Sequence, residues 1–271
     1  QTKEVLEGDS DEVIAELLAL NGSSAGARPK ALIGVDKERK NISYGAHQLS
    51  DDFEHWMVKF PNSQDGKDAG AIEYVYALMA TEAGIAMPNV HLFSSQKGNG
   101  YFAVKRFDRE GNERLHMHTV SGLIHSNFRF PSLDYEDLLS LTSYLTKDIR
   151  EVEKMFRLAV FNVMAHNQDD HAKNFTFLMN ELGEWKLSPA YDITFSNGPG
   201  GEQSTMVLGE GRNITVKHLP KMGTEAQLSK EFIESVIDQT RSALGKWIDL
   251  AKYYGVNDSN INIINRGISK L

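Results

Sequence analysis

Asp169 and Asn174 are separated by four residues in the run His166-Asn167-Gln168-Asp169-Asp170-His171-Ala172-Lys173-Asn174. A carboxylate and a carboxamide in this D-x-x-x-x-N arrangement can share the work of moving a phosphoryl group. The carboxylate accepts the proton of an attacking hydroxyl, and the amide offers Mg²⁺ an oxygen without competing for that proton. A second carboxylate, Asp192 in Ser188-Pro189-Ala190-Tyr191-Asp192-Ile193, adds the hard oxygen that Mg²⁺ takes alongside waters and nucleotide phosphates. Asp, Asn and His also collect in loops because they favour turns and caps, and the spacing recurs by chance. On residue types alone, a plain turn and a working site both fit.

The elements around this run decide how rigidly it is held. Ile149–Ala165 carries apolar residues at 149, 152, 156, 159, 160 and 163, which predicts a helix ending where the run begins. Phe175–Met179 and Trp185–Leu187 flank Asn180-Glu181-Leu182-Gly183-Glu184, which predicts a hairpin that turns the chain back and returns Asp192 toward Asn174. Asp134–Tyr144 reads as a further helix, and Leu228–Ala251 as one long amphipathic helix with Phe232, Val236, Leu244 and Trp247 in the core, before a short terminal helix. Ser196–Gly211, rich in Gly, Ser and Asn, reads as a mobile loop.

Upstream, a helix over Asp11–Leu20 precedes the small-residue turn Gly22-Ser23-Ser24-Ala25-Gly26-Ala27. Strand patterns follow at Ala31–Val35, Trp56–Phe60, Val90–Ser94 and Tyr101–Asp108, with a helix over Ala71–Ala83 stopped by Gly84. The expected fold is therefore α+β and bilobal: a β-rich lobe over residues 1–118, a helical lobe over 119–271, and a cleft between them. Lys59 faces away from Trp56, Val58 and Phe60 on its strand. It is either a solvated lysine or one that meets α- and β-phosphates and a helix glutamate, for which Glu73 is the natural partner. A solvated helix charge is the other reading of Glu73.

Composition narrows the class. Apolar residues make up 41% and charged residues 24%, which suits a globular chain with a sizeable core. The absence of cysteine excludes disulfides and thiolate metal sites and fits a reducing cytoplasm. A net charge of -8 argues against direct nucleic-acid binding, which needs clustered Lys and Arg. No apolar run approaches the ~18 residues of a membrane span; Leu158–Ala165 is short and interrupted by Asn162. Because the chain begins with Gln1, an N-terminal piece is expected to have been removed. His116 and His118 share a strand face, but no third ligand for zinc stands nearby, so the pair reads as structural or incidental.

Asn167 through Phe175, followed by Leu187-Ser188-Pro189-Ala190-Tyr191-Asp192, resembles the signature of HipA-like kinases. Other parts agree in order. Ser23-Ser24-Ala25-Gly26-Ala27-Arg28-Pro29-Lys30 resembles the family's nucleotide loop, Val58-Lys59 its ATP lysine, and Val104-Lys105-Arg106-Phe107-Asp108-Arg109 its hinge. Without that resemblance the 23–30 stretch is an ordinary turn, since the Walker A pattern is absent. The resemblance, which runs from about residue 20 onward, implies a kinase-like fold and serine/threonine phosphorylation with ATP and Mg²⁺. It makes Asp169 the base and Asn174 and Asp192 the metal ligands. It puts Ser24, Ala25, Gly26, Ala27, Lys59, Glu73, Lys105, Phe107, His171 and Tyr191 around the nucleotide, and makes Ser23 an autophosphorylation site. It further implies the toxin of a toxin–antitoxin pair, a HipB-like DNA-binding antitoxin as partner, and an aminoacyl-tRNA synthetase as target. Two departures stand out. Family members carry an N-terminal subdomain before the nucleotide loop, which here points to a fragment, or to a short HipT-like member served by a separate protein. The position of Lys105 is commonly acidic.

Three functions fit the residues. One is a protein kinase; the second is an aminoglycoside-type small-molecule phosphotransferase; the third is a degenerate kinase that only grips an antitoxin or repressor. Retention of Asp169, Asn174 and Asp192 together weighs against the third.

Overall fold

The computed structural model describes residues 2–4, 28–43, 48–61, 66–95, 98–125 and 133–268. The helix expected over Asp11–Leu20 and the Ser23–Ala27 part of the expected nucleotide loop lie outside them. The chain divides into two compact units. One takes the chain up to Val75 with Pro88–Arg114 and Ala251–Asn257; the other takes Tyr76–Met87, Leu115–Leu250 and the chain from Asp258.

The first unit is built on a six-stranded antiparallel sheet. Its strands are β1 (Thr2–Glu4), β2 (Lys30–Asp36), β3 (Asn41–Ser43), β4 (Phe53–Lys59), β5 (Val90–Phe93) and β6 (Tyr101–Lys105), in the spatial order β1-β3-β2-β4-β6-β5. Ala31, Ile33 and Val35 alternate with an exposed Leu32 in β2, and Trp56, Val58 and Phe60 fall on one face of β4 and just beyond it. These two sets form one apolar layer, because successive strand side chains point to opposite faces. Helix α1 (Ala69–Glu82) belongs to this unit through Val75. The strand expected over Tyr101–Asp108 ends at Lys105, because Arg106 and Arg109 both turn onto the Asp108 carboxylate. A small hairpin of β7 (Arg109–Glu110) and β8 (Glu113–Arg114) follows.

The second unit is mostly helical. It opens with β9 (His116–Thr119), the one-turn helix α2 (Val120–Leu123) and β10 (Leu133–Asp134). Helix α3 (Tyr135–Thr146) starts with a capping box in which Asp134 and Asp137 serve the first orphan N–H groups. Helix α4 (Ile149–Met164) is capped by Asp148 and buries Val152, Phe156, Ala159, Val160 and Val163, while Ile149 stays exposed in its first turn. Strands β11 (Thr176–Met179) and β12 (Trp185–Leu187) form the expected hairpin, and β9 extends it to the order β12-β11-β9. Strand β13 (Thr205–Met206) pairs with β10 in parallel.

Four helices complete the chain: α5 (His218–Glu225), α6 (Lys230–Leu244), α7 (Trp247–Tyr253) and α8 (Asp258–Ile268). The continuous helix expected over Leu228–Ala251 breaks between Leu244 and Trp247. There the chain tightens, with Lys246 N–H bonding the carbonyl of Ala243, at a Gly245 that resists helix continuation. Trp247 stays buried, donating from Nε1 to the Ile261 carbonyl at 3.1 Å.

Between α3 and α5, Glu136 shares a hydrogen bond with Glu225, and this bond, with burial and Glu225's charge, pushes the Glu136 carboxyl up to about 7. The folded state therefore holds a proton that the unfolded chain releases from about pH 4.5. Stability contributed this way is present at low pH and lost as pH rises through about 7. Glu136→Gln is expected to raise the melting temperature at pH 8 and leave it nearly unchanged at pH 5. Equal effects at both pH values contradict the shared proton.

Candidate functional site

The loop carrying Asp169 is clamped before it does anything else. Helix α4 ends at Met164, and His166 then takes a left-handed conformation, φ 56°, that swings the chain off the helix axis. Asn167 bridges to Ser196, and the backbone of Gln168 bonds Ser196 through its N–H and Ser204 through its carbonyl. Gly198 sits so close that a Cβ there would meet the carbonyl oxygens of Glu202 and Gln168 at 1.8 and 2.8 Å. Glycine is required at that position by contact alone.

Neighbouring side chains of the loop then part company. Asp170 is fully buried, whereas the Asp169 side chain is 57% exposed. Burial raises the Asp169 carboxyl above the ordinary aspartate value, His171 lowers it, and the Asp192 carboxylate raises it again. Nε2 of His171 is 3.9 Å from Asp169 Oδ1. Asn174 donates from Nδ2 to the Asp169 carbonyl at 2.8 Å, which leaves its amide oxygen as an acceptor.

Asp192 returns to this loop through the hairpin. The Tyr191 hydroxyl donates to the Lys173 carbonyl at 2.6 Å and stands 2.6 Å from Thr176 Oγ1. Burial pushes that hydroxyl up to about 12. Tyr191 thus fastens Asp192 beside the segment that carries Asn174. Asp192 is exposed and left-handed, φ 58°, a conformation uncommon outside glycine and one that tends to mark functional turns.

Two repelling carboxylates with an adjacent oriented amide oxygen make a fitting site for a hard divalent cation. Mg²⁺ takes one or two protein carboxylates and fills its other positions with water and phosphate, so Asn174 and Asp192 suffice. His116 and His118, with ring centroids 6.5 Å apart, are engaged otherwise: His116 packs edge-on to Trp185, and His118 Nδ1 lies 3.2 Å from the Thr119 carbonyl. Among the described residues no three His, Cys, Asp or Glu side chains gather as a metal site.

Ser196–Gly211, expected as a mobile loop, is instead tied down. Gln203, Ser204 and Thr205 are buried. Gln203 Nε2 donates to the Asn167 carbonyl at 2.7 Å and to Asp170 Oδ2 at 2.8 Å. Thr205 donates its N–H to Asp170 Oδ1 at 3.1 Å, and its hydroxyl to the Asp170 carbonyl. The Tyr135 hydroxyl donates to Asp170 Oδ2 and accepts from Asn162 Nδ2 at 3.0 Å; Asn162 Oδ1 in turn accepts from Asn167 at 2.9 Å. Burial, only partly offset by these bonds, raises the Asp170 carboxyl to about 7. No local sequence pattern spells out this network, since its members lie far apart along the chain. The one local signal for it is a second aspartate directly after Asp169.

The first unit holds the other set of expected residues. Lys59 and Glu73 are both buried, with Nζ 2.5 Å from Oε1. Arg28 reaches the second oxygen of Glu73 at 3.4 Å, and Phe102 lies under Lys59 at 5.8 Å. The solvated readings of both charges therefore fail. Lys105, at the end of β6, meets Glu54 at 2.6 Å, and Phe107 lies half-buried in the turn beyond. Ser23, Ser24, Ala25, Gly26 and Ala27 lie outside the described residues.

Comparison with known proteins extends this picture. The model of the HipA-like C-terminal domain matches residues 22–248. The curated protein "Putative kinase Y4dM" of Sinorhizobium fredii is 24% identical over 191 residues, which cover 65% of this chain and 44% of that protein. "Putative kinase Y4mE" of the same strain is 23% identical over 121 residues, 41% of this chain and 29% of that protein. The chain thus spans less than half the length of the curated relatives it matches. Among solved structures, HipA of Shewanella oneidensis MR-1, determined with HipB and operator DNA, superposes with a TM-score of 0.69 at 15% identity, covering 99% of this chain and 70% of that one. The Helicobacter pylori proinflammatory kinase CtkA gives a TM-score of 0.51 at 13% identity over 90% of this chain and 95% of that one. At such identities the likeness concerns the fold, and it is the α+β, kinase-like fold expected from the sequence. Since the family model covers most of its length, the chain belongs to the family of HipA-like C-terminal domains.

Proposed function

We propose that the chain is an ATP- and Mg²⁺-dependent serine/threonine protein kinase. The observation that carries the reading is the convergence of Asp169, Asn174 and Asp192 within one unit, with both aspartates exposed and Asn174 half-buried against the Asp169 carbonyl. Asp169 orients the incoming hydroxyl and accepts its proton; burial and the Asp192 charge raise its carboxyl, which suits a base. Asn174 offers its amide oxygen, and Asp192 its carboxylate, to the metal. Magnesium, when bound with ATP, neutralises charge on the phosphates and holds them for in-line attack. In the first unit, Lys59 is steadied by Glu73 for the α- and β-phosphates. Ser24, Ala25, Gly26 and Ala27 keep in this reading the nucleotide-loop role that the family resemblance implies, and phosphorylation of Ser23, which adds about -1.5 to -2 charge, is the proposed off-switch.

The wider role follows the family. We take the protein to be the toxin of a toxin–antitoxin pair in the cytoplasm, acting on an aminoacyl-tRNA synthetase and held by a HipB-like antitoxin. The Shewanella HipA complex with HipB and operator DNA supports the choice of partner. Direct DNA contact is assigned to the antitoxin, in keeping with the net charge of -8.

Incubation with labelled ATP and Mg²⁺, alone and in a lysate, tests the reading. Label on serine or threonine of a protein, lost without Mg²⁺, is the expected result. Label confined to a small molecule, or none at all, overturns it.

A further inference from the structure

Asp170 adjoins the reactive carboxylate in sequence and yet faces the opposite way, fully buried. Its two oxygens accept from three donors on two separate segments: the Tyr135 hydroxyl and Gln203 Nε2 at Oδ2, and the Thr205 N–H at Oδ1. Its carbonyl accepts from the Thr205 hydroxyl. Two of these partners are tied in turn, Tyr135 through Asn162 and Gln203 through the Asn167 carbonyl. A side chain held by donors from α3 and from the 203–205 segment fixes the peptide on either side of it. The peptide on its N-terminal side is the one that aims Asp169.

From this arrangement we infer that Asp170 is a positioning residue, which latches the segment following Asp192 onto the 166–174 loop and thereby sets the direction of Asp169. The inference rests on the kinase reading and adds to it a source of alignment that needs no phosphorylated residue in that segment. The latch is read from hydrogen-bond polarity as well as from packing. An asparagine at 170 keeps the volume but carries an NH₂ group. In one amide orientation that group faces the Tyr135 and Gln203 donors; in the other it faces the Thr205 N–H.

The test is Asp170→Asn in the full chain, beside Gln203→Ala, which leaves the loop's own sequence intact and removes the donor shared by Asp170 and the Asn167 carbonyl. ATP-binding stoichiometry by calorimetry counts correctly folded sites in each variant. Amide hydrogen exchange at Gln168, Ser204 and Thr205 reports the latch directly. The expected result for Asp170→Asn is the parent's stoichiometry and ATP affinity within about twofold, faster exchange at those amides, and kcat lower by about 100-fold, the scale of a misplacement near 1 Å. Gln203→Ala is expected to shift exchange in the same direction with a smaller loss of kcat. If the parent transfers phosphate and Asp170→Asn retains its kcat, the inference fails alone. A loss of kcat matched by an equal loss of binding sites also defeats it, because Asp170 is then structural only. A parent that transfers no phosphate overturns the kinase reading and the inference together.

Discussion

Asp169→Asn is expected to slow phosphoryl transfer by about a thousandfold, within the range attributed to a positioned general base. The amide is isosteric but accepts no proton at neutral pH, so positioning survives and proton removal does not. Stability is expected to move little, since the side chain is 57% exposed and surface changes usually stay within about 0.5 kcal/mol. What change there is should be favourable above the carboxyl's raised pKa, because the ionised aspartate is disfavoured by burial and by Asp192. Initial rates with labelled ATP, set beside thermal unfolding of the same preparations, check both halves. Retention of a third of the parent rate refutes the role given to Asp169. A thousandfold loss accompanied by a large fall in melting temperature refutes the separation of chemistry from folding.

Glu73→Gln is expected to cost stability on the order of 3 kcal/mol, the lower end of what breaking a buried ion pair costs. Lys59 and Glu73 are both buried and 2.5 Å apart, and Arg28 adds a second cation at 3.4 Å. Removing the carboxylate sets two cations against a neutral amide in a site shielded from water. The same substitution is expected to raise the KM for ATP several-fold by loosening the lysine proposed to meet the phosphates. Denaturant unfolding gives the first quantity and steady-state kinetics the second. The double variant Lys59→Met, Glu73→Leu separates them, because an apolar replacement of both partners is often neutral or stabilising while nucleotide binding is still lost. A double variant as unstable as Glu73→Gln contradicts the account.

The parts of this molecule that are legible in sequence are those with a short local period. The hairpin shows because Phe175–Met179 and Trp185–Leu187 are apolar stretches around a turn containing Gly183. Helix α4 shows because its apolar residues recur at helical spacing. What stays hidden depends on partners far along the chain. Gly, Ser and Asn between 196 and 211 signal turns, and nothing local reveals that Gln203 and Thr205 end on Asp170. Helix α5 is masked by Pro220 and Gly223, which lower the propensity of a short segment. The α6–α7 break is masked because the apolar stripe resumes in phase at Trp247. Lys59 sits on a legible strand, but its exposure was decided by Glu73 and Phe102, which no spacing rule connects to it.

The turn of the β11–β12 hairpin has no part in any of this. Leu182 at its tip is 83% exposed and nothing crowds Gly183, while Asn180 closes the turn by accepting from the N–H groups of Leu182 and Glu184 and Met179 stands opposite Trp185. Tyr191 closes the circuit on Lys173 below. An insertion at the exposed tip is therefore expected to be tolerated. An epitope or fluorophore spliced in at Leu182 is expected to leave the oxygens of Asn174 and Asp192, the proposed metal ligands, in their places. A pattern search for such proteins is best written as two anchored words with an elastic gap.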